Sequence, residues 1–356
     1  MEKCFFDRLG VADMEKVHSA VIAWIFSDEC TALDIKQKSY LLCDMYKISR
    51  KEFQKMRAEV EIQNIDILII TNEGTPNAAL WIIENKIKSS QHSNQLDKYI
   101  SIAEEIEGKE KHFCFLTLVG EKPQCNNPHN NDAWKNLKYS ELATLMKDLA
   151  LQNNVDAIIL NEYRKCITNL ANALDDFLQN HRNYPNVFID GAKKKGQKPK
   201  PEGEGSYVSY ISENGLETIF QKCFLSYLNS QTKFFQNEFN IKESHGTAFI
   251  EGYVKRNIKN TGTDLGIQIQ NGTFKVQIYQ PEANIKIFWD KWDNVFQKID
   301  LKNWKLNESK SHSIPYFSYS QSIKDWHRKP IDEILKIWEE KLEECRNASE
   351  ELMKYC

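Results

Sequence analysis

An α/β fold, a mixed sheet flanked by helices and followed by a second α+β unit, is predicted for this 356-residue sequence on three observations. Over residues 13–120 the apolar pattern runs helix, strands, helix, strand. Composition then changes abruptly at 190–206, DGAKKKGQKPKPEGEGS, where Gly, Pro and Lys dominate and no core-forming residue occurs. Beyond that break lie short strands and a two-residue hairpin signal, Asn271-Gly272.

The elements follow in order. Residues 13–27 and 31–45 have helical apolar spacing, and the polar stretch KISRKEFQKMRAE reads as helical for part of its length. VEIQNIDILIIT and AALWIIENKI are β-branched, bounded by turn residues, and read as two strands. An amphipathic helix is expected from Gln91 to Glu107, and a central strand over 112–120. Helices are expected over 139–150 and 155–180. The domain reading is therefore a first unit over residues 1–183, a linker or long loop over 184–206, and an α+β accessory unit over 207–356. In the last, GLETIFQKCFLSYLN is helical, AFIEGYVKRN, DLGIQIQ and TFKVQIY are strands, and two helices near 289–299 and 331–354 close the chain.

Composition excludes several classes. Net charge is −3, so nucleic-acid binding would need local basic patches rather than a global excess. No apolar run is long enough to span a membrane. Nine scattered cysteines without a CxxC pair read as reduced thiols of a cytoplasmic protein. GAKKKGQK lacks the phosphate-loop spacing, and Cys125 with His129 is too few ligands for a structural zinc site.

Chemistry concentrates in residues 66–100. Two apolar strands each carry acid, Asp66 in DILII and Glu84 with Lys86 in WIIENK. Burying ionised carboxylates is costly unless something pairs with them. Alternation puts Glu84 and Lys86 on one strand face. A hairpin centred on the NEGTPN turn brings Asp66 opposite residue 83 or 84. Two carboxylates so close resist ionisation, a conflict that a divalent cation removes; hard oxygen ligands suit Mg²⁺ or Mn²⁺. The bland alternative, an edge aspartate beside an exposed Glu84–Lys86 pair, is opposed by the flanking ILII and WII.

Asp66, then Glu84-Asn85-Lys86, then Gln95 and Tyr99 as Q-x-x-x-Y on the next helix, resembles the PD-(D/E)XK nuclease superfamily, in a bacterial branch with a RecB-like QxxxY motif. The proline of the name is replaced by Ile65. The resemblance implies a restriction-endonuclease-like core and a metal-dependent nuclease acting on nucleic acid, DNA for preference, in a branch often linked with phage defence. It implies Mg²⁺ or Mn²⁺ held by Asp66, Glu84, the backbone carbonyl of Asn85 and a further acid, Glu59 preferred over Glu61. Lys86 then orients a water or offsets phosphate charge, and Gln95 and Tyr99 keep the substrate or nucleophile in register. Gln91, Lys51 and Arg57 are the nucleic-acid contacts expected beside the site, with further lysines in the basic stretch and the linker. A homodimer or a defence-system partner is the expected company. The rival reading is a non-catalytic nucleic-acid or protein-binding sensor on a nuclease-like fold. The aromatics Trp289, Trp292, Trp304, Tyr316, Phe317, Tyr319 and Trp326, interleaved with lysines, suit either core packing or base stacking in a recognition or regulatory module.

Overall fold

The computed structural model describes residues 2–88, 94–106, 110–188, 203–231, 239–244, 246–296, 298–299, 301, 303–308 and 312–356. These divide into two compact units, residues 1–179 with 206–219 and residues 180–205 with 220–356. The units therefore do not follow the linear division at 183 and 207. Tyr184, Val187 and Phe188 are buried, so the first residues of the expected linker pack as structure; 189–202 lie outside the described residues.

The first unit opens with α1 (Phe5–Leu9), α2 (Glu15–Ile25) and α3 (Ile35–Met45). Asp34 caps α3 reciprocally with Gln37, satisfying donors that the helix start leaves open. Three strands follow, β1 (Met56–Ile62), β2 (Ile65–Thr71) and β3 (Ala79–Lys86), then α4 (Gln95–Glu104), β4 (Glu110–Thr117), β5 (Trp134–Lys138), α5 (Tyr139–Lys147) and α6 (Val155–Gln179). The expected helix over KISRKEFQKMRAE is replaced by an extended loop and β1. VEIQNIDILIIT is likewise two strands, not one, reversing at Gln63 and Asn64, both with positive φ. The sheet order is β1-β2-β3-β4-β5, antiparallel through β3 and parallel from β3 to β5.

All eight residues of β3 are buried, which explains its near-continuous apolar run. One sheet face packs under α4, where Leu68, Ile70, Leu80, Ile82 and Phe115 meet Leu96, Tyr99, Ile100 and Ala103. On the other face Trp81 meets Tyr46 and Phe53, and α2 lies against β1, β2 and β3. The catalytic candidates thus sit in a strand sandwiched between helices. Outside the sheet, α7 (Val208–Glu213) belongs to this unit.

The second unit contains most of α8 (Glu217–Gln231), then β6 (Phe239–Ser244), β7 (Thr247–Ile258), β8 (Thr263–Gln270), β9 (Thr273–Tyr279), α9 (Ile285–Phe296), β10 (Lys305–Glu308), β11 (Tyr316–Ser322) and α10 (Ile331–Met353). Its six strands form an antiparallel sheet in the order β10-β11-β9-β8-β7-β6. The β8–β9 hairpin turns at Asn271 and Gly272, both left-handed, as its sequence signal requires; a Cβ at Gly272 would overlap the Trp326 ring. Leu265, Ile267, Phe274, Val276, Ile278 and Phe317 line one face. α9 covers it through Phe288 and Trp292 on Phe317, and α10 through Trp338 on Phe274. Trp289, Trp292, Phe317, Tyr319 and Trp326 are buried, so most of the aromatic set is core.

Candidate active site

Strand register brings the acids together. Ile67 pairs with Ile83 and Thr71 with Ala79, and one further step sets Asp66 opposite Glu84. The regular ladder ends here: the Asn85 N–H donates to Asp66 Oδ2 (2.8 Å). A strand residue directs its N–H and C=O to the same side, so the Asn85 carbonyl also faces the Asp66 side. Glu84 is fully buried, and neither of its carboxylate oxygens has a hydrogen-bond partner. Lys86 Nζ lies 2.5 Å from Glu84 Oε1 and 3.7 Å from Asp66 Oδ2; the nearer contact is an ion pair by distance without hydrogen-bond geometry.

The electrostatics follow from this crowding. Burial first, and then the neighbouring Asp66 charge, push the Glu84 carboxyl up to about 8. Burial also raises Asp66, against the opposing pull of the Lys86 ammonium and the Asn85 N–H. For Lys86 burial works against the charge, yet Glu84 and Asp66 outweigh it and hold the ammonium above the usual lysine value.

α4 supplies the roof. Gln95 Nε2 donates to Tyr99 Oη (2.7 Å), and Tyr99 donates to the Asn64 carbonyl in the β1–β2 turn. The Tyr99 hydroxyl is raised by burial and by the Glu84 charge, so it stays a protonated donor. Gln95 Oε1 is buried without a partner. The site therefore presents buried acceptor oxygens that the protein leaves under-satisfied: Glu84 Oε2 and Gln95 Oε1 have no partner, and Glu84 Oε1 has only the Lys86 ammonium against it. That donor set fits a hard divalent cation.

On the opposite face of β3, Asn85 points away from the acids. Its Nδ2 donates to the Glu15 carbonyl (3.1 Å) and to Ser19 Oγ (3.0 Å), and its Oδ1 accepts from Tyr139 (2.7 Å).

The structure brings Asp66, Glu84, Lys86, Gln95 and Tyr99 together, and leaves three other expected residues apart. Glu59 pairs with Leu68, and Leu68 with Ile82; that places it ~7 Å along the strands from the acid pair. Its carboxylate is engaged by Arg57. Arg57 faces Ile70 and Leu80, ~13 Å along from Glu84, and also binds Glu73. Lys51 pairs with Glu110 at the far end of β3 and β4. Gln91 lies outside the described residues.

One acid was missed by sequence reasoning. Glu15, the first residue of α2, accepts the Ile87 and Lys88 N–H groups through Oε1 (2.9 and 2.8 Å). Its charge acts on both Asp66 and Lys86. The only available signal was an acid in the first turn of a helix, with no fixed spacing to the strands.

The PD-(D/E)XK nuclease superfamily model matches residues 4–165. Comparison with curated proteins and with solved structures finds no match. Nucleases of this superfamily typically use divalent metal ions, in keeping with the donor set around Glu84. The matched segment holds the helix–strand–helix–strand core, the acid pair and the lysine beside it, and residues 4–165 belong to the PD-(D/E)XK nuclease superfamily.

Proposed function

We propose that the first unit hydrolyses phosphodiester bonds in nucleic acid, DNA for preference, with Mg²⁺ or Mn²⁺ held by Asp66, Glu84 and the Asn85 carbonyl. The observation that carries this reading is the buried Glu84 carboxyl, opposite Asp66, with the Lys86 ammonium against Oε1 and no partner at Oε2. When bound there, a divalent ion would supply Lewis-acid polarisation of the scissile phosphate and a lowered pKa for the attacking water. Asp66 and Glu84 supply the anionic oxygens that hold it. Lys86, within reach of both acids, offsets charge that builds on the phosphate or orients the water. Gln95, tied to Tyr99 and with a buried oxygen that has no partner, would position what enters.

The test is a cleavage panel over linear, circular and single-stranded DNA and RNA with Mg²⁺ or Mn²⁺. Asp66→Ala, Glu84→Ala and Lys86→Ala are each expected to lower turnover by about a thousandfold or more. Undiminished cleavage by all three folded variants would sink the reading. Binding without turnover, together with no Mn²⁺ affinity by calorimetry, would favour the non-catalytic sensor.

A further inference from the structure

In the second unit, α9 and α10 both cover the face of the sheet that carries Phe274, Val276 and Phe317. Register gives the composition of the other face. One rung reads Tyr253, Gly266, Gln277, Ser318, Asn307, and the next Glu251, Gln268, Lys275, Ser320, Lys305. Tyr279 and Tyr316 stand opposite each other on a third. Apart from Phe249 at one corner, the inner strands present amides, hydroxyls, tyrosines, cations and two acids, Glu251 paired with Lys242 and Asp264 held by the Asn257 N–H.

The amides are held half-satisfied. Lys275 Nζ donates to Gln268 Oε1 (2.9 Å) and the Tyr316 hydroxyl to Gln277 Oε1 (3.4 Å), while Asn307 Nδ2 donates to Ser320 Oγ (2.6 Å). Gln268 Nε2, Gln277 Nε2 and Asn307 Oδ1 are left without a partner among the described residues, and all three are solvent-accessible. Each amide is thus fixed at one end with a donor or acceptor to offer at the other. Gly266 makes this possible for Gln277: a Cβ there would come 3.1 Å from Gln277 Nε2 and 3.0 Å from the Gly252 carbonyl. At one side the Arg256 guanidinium lies 4.0 Å over the Tyr253 ring, a flat cationic stack.

We propose that this open sheet face binds single-stranded nucleic acid. Unpaired bases expose both a ring face for tyrosine and edges for the waiting amides. Lys275, Lys305 and Arg256 meet the backbone phosphates. A duplex hides its base faces and most of its edges from a sheet, which selects the single strand. A polypeptide is the less suited occupant, since among the described residues the face offers no aliphatic pocket and spreads its polar groups across the rungs rather than clustering anchors at one centre. Any bearing on substrate choice rests on the hydrolase reading above; the binding itself does not.

The test uses the full chain carrying Asp66→Ala, so that bound strands are not cut. Fluorescence anisotropy follows labelled mixed-sequence single-stranded DNA and RNA. Adding Tyr253→Ala should weaken binding by about tenfold. Lys275→Gln should lower both affinity and its salt dependence. Lys336→Ala, an exposed cation on α10, should change little. Should Tyr253→Ala fail to fold, Gln277→Glu and Lys275→Gln carry the same comparison. Unchanged affinity in the folded face variants, or an equal loss from Lys336→Ala, overturns the proposal; the former result gives the face to a polypeptide. Because the readout is binding, a chain that binds this way yet never cleaves would refute the hydrolase reading alone.

Discussion

Glu84 is a carboxylate kept where the fold alone would not place one. It is fully buried, and its close charged partner is a strand neighbour, Lys86, set against one oxygen only. Sites built for a ligand commonly sacrifice stability in this way. Above about pH 8, where Glu84 is ionised, Glu84→Gln keeps the shape, removes the charge and ends the repulsion with Asp66. In the presence of a chelator it should melt about 2–4 °C above wild type while losing cleavage. A melting temperature below wild type would mean that the carboxylate supports the fold, as a partner that Lys86 needs. Local spacing made this residue legible, because Glu84 and Lys86 are two apart on a strand and Asp66 sits across one hairpin. Glu15 was illegible for the opposite reason: it meets Ile87 and Lys88 across some seventy residues of chain.

Among the elements, α2 carries a second kind of buried group. His18 is enclosed, with Nε2 against the Ala12 carbonyl (2.8 Å) and Nδ1 against the Tyr163 hydroxyl (3.1 Å). The neutral ring satisfies both contacts if Nε2–H donates to the carbonyl and Nδ1 accepts from Tyr163. Burial lowers its pKa from 6.5 to about 4, against the pull of the Ala12 carbonyl. A histidine whose folded pKa is depressed protonates more readily in the unfolded chain. Its contribution to stability is therefore present above pH 6.5 and lost as pH falls towards 4. The full effect is about 3 kcal/mol. Urea titrations across that range should show wild type losing stability more steeply than His18→Phe; parallel curves would show that His18 does not carry the acid sensitivity.

The elements also show where pattern reading works. β2 and β3 were legible as buried β-branched runs, β4 as an apolar run, and the β8–β9 turn as Asn-Gly. β1 was misread although MRAEVEI alternates apolar and charged residues: it is an edge strand exposed along much of its length, and its first residues follow the polar stretch read as helix. Its turn into β2 was missed because Gln63 and Asn64 adopt left-handed backbone without a glycine. β11 was read only as an aromatic cluster, since its serines and glutamine hide a strand whose open face is polar.

At the scale of the whole molecule, the proposed metal site and the polar sheet face belong to different compact units. Ligation by Asp66 and Glu84 stabilises the states that hold those groups together, by an amount set by the ion concentration relative to its Kd. Hydrogen exchange with and without Mn²⁺ should therefore show added protection in β2, β3 and α4, with β7, β8 and β9 unchanged. Equal protection in both units would mean that the ion acts through the whole chain or at another site. Among the described residues no helix is long and apolar enough to cross a membrane, and all nine cysteines are free thiols.

Asn85 changes how the Glu-x-Lys pattern reads in this chain. The pattern leaves its middle position open, as if any residue would serve. Here that residue passes through the sheet and is tied on the far side to two positions of α2 and to Tyr139 at the head of α5. Its backbone meanwhile meets Asp66. The wildcard is thus the position with the most distinct obligations in the tripeptide. Diversification of this protein would find Glu84 and Lys86 constrained by chemistry, and the letter between them constrained just as firmly by carpentry.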